Sequence, residues 1–193
     1  GLTEAWRDRG DLHVYHVVGR RDWASFRRPE VDDAAIGYQP VEYEEHMDQL
    51  LAAADVAVCR SGGTTVAELA VVGLPSILVP LPIAPGDHQR HNAEAFVRAG
   101  AARCLIQRDA QPRVFCDLIG DLLDGGPAWV QMSAAAARLH RPQAADRIAE
   151  RLLSMVGGPF SAAAGERAAS KKRLEPAPKA AAPGKVGSPV SST

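Results

Sequence analysis

Most residues of this chain that could do chemistry fall between Asp55 and Asn92, in DVAVCRSGGTTVAELAVVGLPSILVPLPIAPGDHQRHN. Gly62 and Gly63 follow an apolar run directly, and Thr64 and Thr65 open a helical pattern. Glycine permits positive φ and lets a ligand approach the backbone, while threonines cap a helix or donate to phosphate oxygens. The amides between Ser61 and Val66 therefore suit an anion such as a nucleotide diphosphate; an ordinary strand–turn–helix is the other reading of the glycines. A helix terminus contributes roughly 0.3–1 kcal/mol per charge, and up to ~2 when partly buried, so it needs help from other contacts. Glu68 has two readings. It closes a capping box with Thr65, or it accepts hydrogen bonds from a ribose diol, each worth roughly 1.5–3 kcal/mol when charge-assisted.

The second loop, Pro80 to Asn92, is stiffened by proline and ends in Asp87, His88, Gln89, Arg90, His91 and Asn92. Amides and imidazoles both donate and accept, which sugar hydroxyls require. A solvated helix start capped by Asp87 is the other reading. His88 and His91 have no third ligand nearby, so no metal site is expected. His13 and His16, three apart on a strand, point to opposite faces and cannot chelate one ion.

These loops need a scaffold. Strands are expected over 12–18, 34–38, 56–59, 76–79 and 102–106. Helices are expected over 43–54, 64–72, 88–99, 112–123, 128–139 and 144–155, with the end of another at 2–9. Alternation of strand and helix with short links predicts a doubly wound parallel α/β sheet, its strands apolar because both faces are covered. In such a sheet both loops leave the carboxyl ends of neighbouring strands, where ligands bind.

The chain carries a formal net charge of -1, which argues against a nucleic-acid partner. From Gly157 onward there are six basic and two acidic side chains and almost no large apolar residue. Residues 157–193 are therefore expected to be a disordered tail, and 1–156 the folded domain. Lys171, Lys172 and Arg173 read as a solvated stretch, with a weak attraction to anionic lipid as the other reading. Cys59, Cys104 and Cys116 lack metal-ligand spacing, which fits small buried thiols in a reducing compartment.

The motif YEEHMDQLLAAADVAVCRSGGTTVAELA, then GLPSILVP and DHQRHNA, resembles the carboxyl-terminal domain of one glycosyltransferase family. These are the MurG-type enzymes of family 28, the undecaprenyldiphospho-muramoylpentapeptide β-N-acetylglucosaminyltransferases of peptidoglycan synthesis. The resemblance implies a GT-B fold whose carboxyl-terminal half binds UDP-N-acetylglucosamine, and an inverting transfer to the lipid-linked muramoyl-pentapeptide without a metal or cofactor. Carried over by motif, Gly63, Thr64, Thr65, Val66, Ala67 and Glu68 line the donor, with Glu68 on the ribose. Gln89 contacts the sugar, and Glu44 presents its backbone to the uracil. Ser61, Gly62, His88 and Asn92 are further candidates; some relatives have a second glutamine where His88 stands.

The resemblance places the protein at the cytoplasmic face of the bacterial membrane, peripheral to an anionic surface. The family's amino-terminal domain, with its general base and acceptor site, has no counterpart here. Nor do the donor domain's first strand and glycine-rich loop. The expectation is an incomplete domain, inactive alone and without a catalytic residue of its own. A transferase for another UDP-sugar, or a nucleotide-sugar-binding module working with a partner chain, remains open.

Overall fold

The computed structural model describes residues 5–29, 35–123 and 125–156. The expected tail at 157–193 lies outside them. The chain divides into two units, Gly1–His140 and Arg141–Thr193.

In the first unit β1 (His13–Val17) is a β-branched and aromatic run that ends at Gly19, whose φ of 94° only glycine adopts readily. A four-residue helix, α1 (Arg20–Trp23), follows. β2 (Gly37–Val41) pairs with β1 in parallel, from His13 opposite Gly37 to Val17 opposite Val41. This strand lies three residues beyond its expected start. A Cβ at Gly37 would overlap the His13 ring, so glycine is what allows the pairing to begin there.

Helix α2 (Met47–Ala53) leads to β3 (Ala57–Cys59), and α3 (Gly63–Val72) to β4 (Ser76–Leu78). α4 (His88–Arg98), β5 (Ala102–Cys104), α5 (Pro112–Leu123) and α6 (Pro127–Arg138) complete the unit. β3, β4 and β5 are parallel neighbours, in register at Ala57–Ser76 and Ser76–Ala102. Gly73 ends α3 in the left-handed region at φ 67°, with its amide on the Leu69 carbonyl. A Cβ there would press to 3.3 Å from Ala137.

Central β4 is buried on both faces. Leu78 packs with Val66, Leu69 and Ala70 of α3, Ala93 and Phe96 of α4, and Ala135 and Ala136 of α6. Ile77 faces the other way, with Val79, Leu105 and Ile119 of α5. Helices thus cover both sides, and the core anchors the strand ends from which the site loops leave.

The sheet itself is in two pieces, β1–β2 and β3–β4–β5. The described residues show no ladder between β2 and β3. The break shows in burial. No residue of β1 or β2 is fully buried, and Val58 in β3 is 44% exposed, against the expectation of uniformly covered strands.

In the second unit α7 (Ala144–Val156) is amphipathic, with Ile148, Leu152 and Met155 exposed along one stripe. Among the described residues no helix is long and apolar enough to cross a membrane.

Candidate functional site

The glycine turn follows β3 and the proline loop follows β4, so the two leave the carboxyl ends of hydrogen-bonded neighbours. Helix α3 starts one residue earlier than its sequence pattern implies. Gly62 is its N-cap, extended at φ -61° and ψ 152°, and no side chain caps it. The first intrahelical bond runs from the Val66 amide to the Gly62 carbonyl at 3.0 Å. The amides of Gly63, Thr64 and Thr65 therefore have no partner inside the helix and point out of its positive end.

This start overturns the capping box. With Gly62 at the N-cap, Glu68 is the sixth helical residue, too far along to reach the N-cap amide. Its half-buried carboxylate makes no hydrogen bond or ion pair among the described residues. It faces Cys59 at the end of β3. Burial first, and the Glu68 charge second, push the Cys59 thiol up to about 12. The thiol is thus protonated at neutral pH and is no nucleophile. Gly63, Thr64 and Ala67 are exposed, whereas Val66 is buried and its amide is taken by the Gly62 carbonyl, so Val66 offers a ligand no free donor.

A thiol raised in this way stabilises the fold below its ordinary pKa near 9 and loses that contribution as pH climbs towards 12. We expect the urea midpoint of the wild type to fall over this range more steeply than that of Cys59→Ala. Superimposable profiles would remove Cys59 from the account. The three cysteines are half-buried rather than buried, which corrects the sequence expectation.

The proline loop is stitched to the glycine turn. The buried Ser61 hydroxyl donates to the Gln89 carbonyl at 2.7 Å, and Asn92 Nδ2 donates to the Ser61 carbonyl at 2.9 Å. Both side chains are therefore occupied within the protein and serve to hold the loops together. Gln89 Oε1 accepts the Leu81 amide at 3.0 Å, which leaves its Nε2 donors for a ligand. His88 Nδ1 donates to the Pro85 carbonyl at 2.7 Å, which leaves Nε2 as the ring atom open to a ligand. Gly86 (φ 59°) and Asp87 (φ 52°) are both left-handed, a strained pair at the entry to α4. Asp87 occupies the N-cap without a side-chain cap bond, so of the two readings of this loop the one that has Asp87 capping the helix is not met. Arg90 is taken by Glu94 at 3.0 Å. A cleft of about 240 Å³ opens beside this loop, lined by Leu81, Ala84, Asp87, Arg90 and Ile106 among others.

Glu44 stands apart from the two loops, just past β2. Its carboxylate accepts the Tyr15 hydroxyl at 2.6 Å and the His46 amide at 2.7 Å, at the start of α2. These bonds hold its carboxyl below the usual range, the Tyr15 bond most strongly. A side chain so engaged leaves the backbone as the part free for a ligand. Helix α2 begins at Met47, four residues later than expected, because Glu44 and His46 form its entry turn. Among the described residues no group of three His, Cys, Asp or Glu is placed to hold a metal ion.

Residues 2–148 match the glycosyltransferase family 28 C-terminal domain. The chain belongs to this family. Among curated relatives of the family 28 domain, the UDP-N-acetylglucosamine–N-acetylmuramyl-(pentapeptide) pyrophosphoryl-undecaprenol N-acetylglucosamine transferase of Mycobacterium avium is 39% identical over 144 residues. The match covers 75% of this chain and 35% of that protein. Its counterpart from Mycolicibacterium vanbaalenii is 40% identical over 150 residues, covering 78% and 36%. The chain thus spans about a third of the length of the curated relatives it matches.

Among solved structures, MurG of Acinetobacter baumannii superposes with a TM-score of 0.64 at 27% identity, over 75% of this chain and 42% of that one. The glycosyltransferase VinC, at 22% identity, TM-score 0.54 and coverage of 71% and 31%, shares the fold. The family 28 assignment and the GT-B neighbours agree with the α/β architecture described above.

Sequence reasoning passed over Arg60. It follows β3 directly, and its guanidinium reaches the carbonyls of Val79 and Pro80 and the side chain of Gln107. A cation flanking a glycine turn at a strand end was the available signal.

Proposed function

We propose that this chain is the donor-holding part of an inverting glycosyltransferase. The complete enzyme moves N-acetylglucosamine from UDP-N-acetylglucosamine to the lipid-linked muramoyl-pentapeptide, in peptidoglycan synthesis. One observation carries the reading: uncapped amides at Gly63, Thr64 and Thr65 stand within a turn and a half of Glu68, a carboxylate unpartnered among the described residues. A diphosphate at the amides and a ribose diol at the carboxylate use both. The names of the family 28 relatives support the choice of donor and acceptor.

In this reading the acceptor's C4 hydroxyl attacks the anomeric carbon, the bond to the diphosphate oxygen breaks, and UDP departs with the bonding electrons. The acceptor's proton passes to a base outside this chain. Negative charge grows on the β-phosphate, where preorganised amides and the α3 terminus bind the transition state more strongly than the substrate. Gln89 Nε2 and His88 Nε2 face the sugar, and the Glu44 backbone faces the uracil. Thr64 and Thr65 hydroxyls donate to the phosphates, and Gly62, Gly63 and Ala67 leave room for them. The acceptor binds through another part of the protein, on an anionic membrane surface at the cytoplasmic side, and no nucleic acid takes part.

Calorimetric titration of the full-length protein tests this. We expect saturable heat with UDP-N-acetylglucosamine and weaker or absent heat with UDP-glucose. Silence towards both UDP and UDP-N-acetylglucosamine would end the proposal, and equal affinity for UDP-glucose would end its sugar assignment.

A further inference from the structure

We infer that Arg60 is a positioning residue that sets sugar discrimination by fastening the root of the proline loop; the inference rests on the function proposed above. The Val79 amide makes the last ladder bond on the β3 side, to the Cys59 carbonyl at 2.9 Å. The Val79 carbonyl points the same way, but β3 has ended and no strand amide remains to meet it. Arg60 Nη1 takes that place, donating to the carbonyls of Val79 at 3.1 Å and Pro80 at 3.3 Å. Its Nη2 donates to Gln107 Oε1 at 2.9 Å, in the turn that follows β5. One planar group therefore joins the ends of three strands.

The next residue, Ser61, fastens the far end of the same loop through Gln89 and Asn92. The loop from Val79 to Asn92 is thus pinned at both ends to Arg60 and Ser61, with the Leu81–Gln89 bond as an internal brace. Gln89 and His88 can only meet a sugar in one orientation while both pins hold. The amides of the glycine turn belong to α3 and do not depend on the guanidinium. Loss of Arg60 should therefore weaken the grip on the sugar and spare the nucleotide. Among the described residues Arg60 has no carboxylate partner, so its contacts are to neutral acceptors placed by the strand ends. A lysine ammonium lacks the planar fork needed to reach all three acceptors at once.

The test is calorimetry on the full-length protein with UDP and UDP-N-acetylglucosamine, for wild type, Arg60→Lys, Arg60→Gln and Gln107→Ala. We expect both Arg60 variants to lose about ten-fold in Kd for the nucleotide sugar while Kd for UDP stays within about two-fold. Gln107→Ala, a change at an exposed residue, should lower the same ratio by a smaller factor without disturbing the fold. Combined with Arg60→Lys, its effect should be less than additive. Equal losses for UDP and UDP-N-acetylglucosamine would overturn the inference, because they would mark a general structural role. So would an unchanged ratio in Gln107→Ala and Arg60→Lys alike. A wild type that binds neither nucleotide would remove the donor reading first, and this inference with it.

Discussion

Replacing Glu68 by alanine is expected to weaken UDP-N-acetylglucosamine binding ten-fold or more, about 1.4 kcal/mol per decade, and to leave the urea midpoint in place. The two halves of that expectation come from one observation. A capping glutamate would hold the helix end, and its loss would lower stability; Glu68 is beyond reach of the N-cap at Gly62. A carboxylate without a partner among the described residues, half-buried beside the glycine turn, has its hydrogen-bonding capacity open. Glu68→Gln keeps the shape and one acceptor but not the charge, so it should fall between wild type and alanine. Calorimetry reads the affinity and urea unfolding the stability. A lower midpoint with unchanged affinity would restore the structural role.

The second large effect concerns stability. Leu78→Ala should cost about 2–5 kcal/mol, the range for removing a large side chain from a well-packed core. Leu78 is fully buried at the carboxyl end of β4, where α3, α4 and α6 meet. Domains of this kind are stable by only about 5–15 kcal/mol, so the variant would forfeit a large fraction of the total. The urea midpoint should drop while the denaturant slope stays the same, since the surface exposed on unfolding barely changes. A cost near zero would mean that this side of β4 is loosely packed.

The stretch from Val56 to Leu123 was legible because its patterning is strong. Short apolar strands alternate with helices closed by Gly73 and Gly100, and their ends lie within a residue or two of expectation. Elsewhere local signals competed. Pro40 and Gly37 weaken the apparent β-character of β2, whose pairing is fixed by contact with β1 rather than by propensity. Helix α1 is too short to show a period.

At the site, residue types were legible and their division of labour was not. Ser61 and Asn92 are small polar residues that suit a ligand or an internal bond equally. Only their contacts show that both are used to join the loops. Two adjacent threonines mimic a cap signal, yet Gly62 starts α3 before them, which no spacing rule for Glu68 anticipates.

The divided sheet also bears on how the polypeptide behaves in the test tube. β1 and β3 each have a ladder on one side only among the described residues, leaving rows of amides and carbonyls without a neighbour. Such borders recruit strands from other molecules. We expect light scattering of this polypeptide to rise with concentration as these borders pair; a flat dilution series would show them covered.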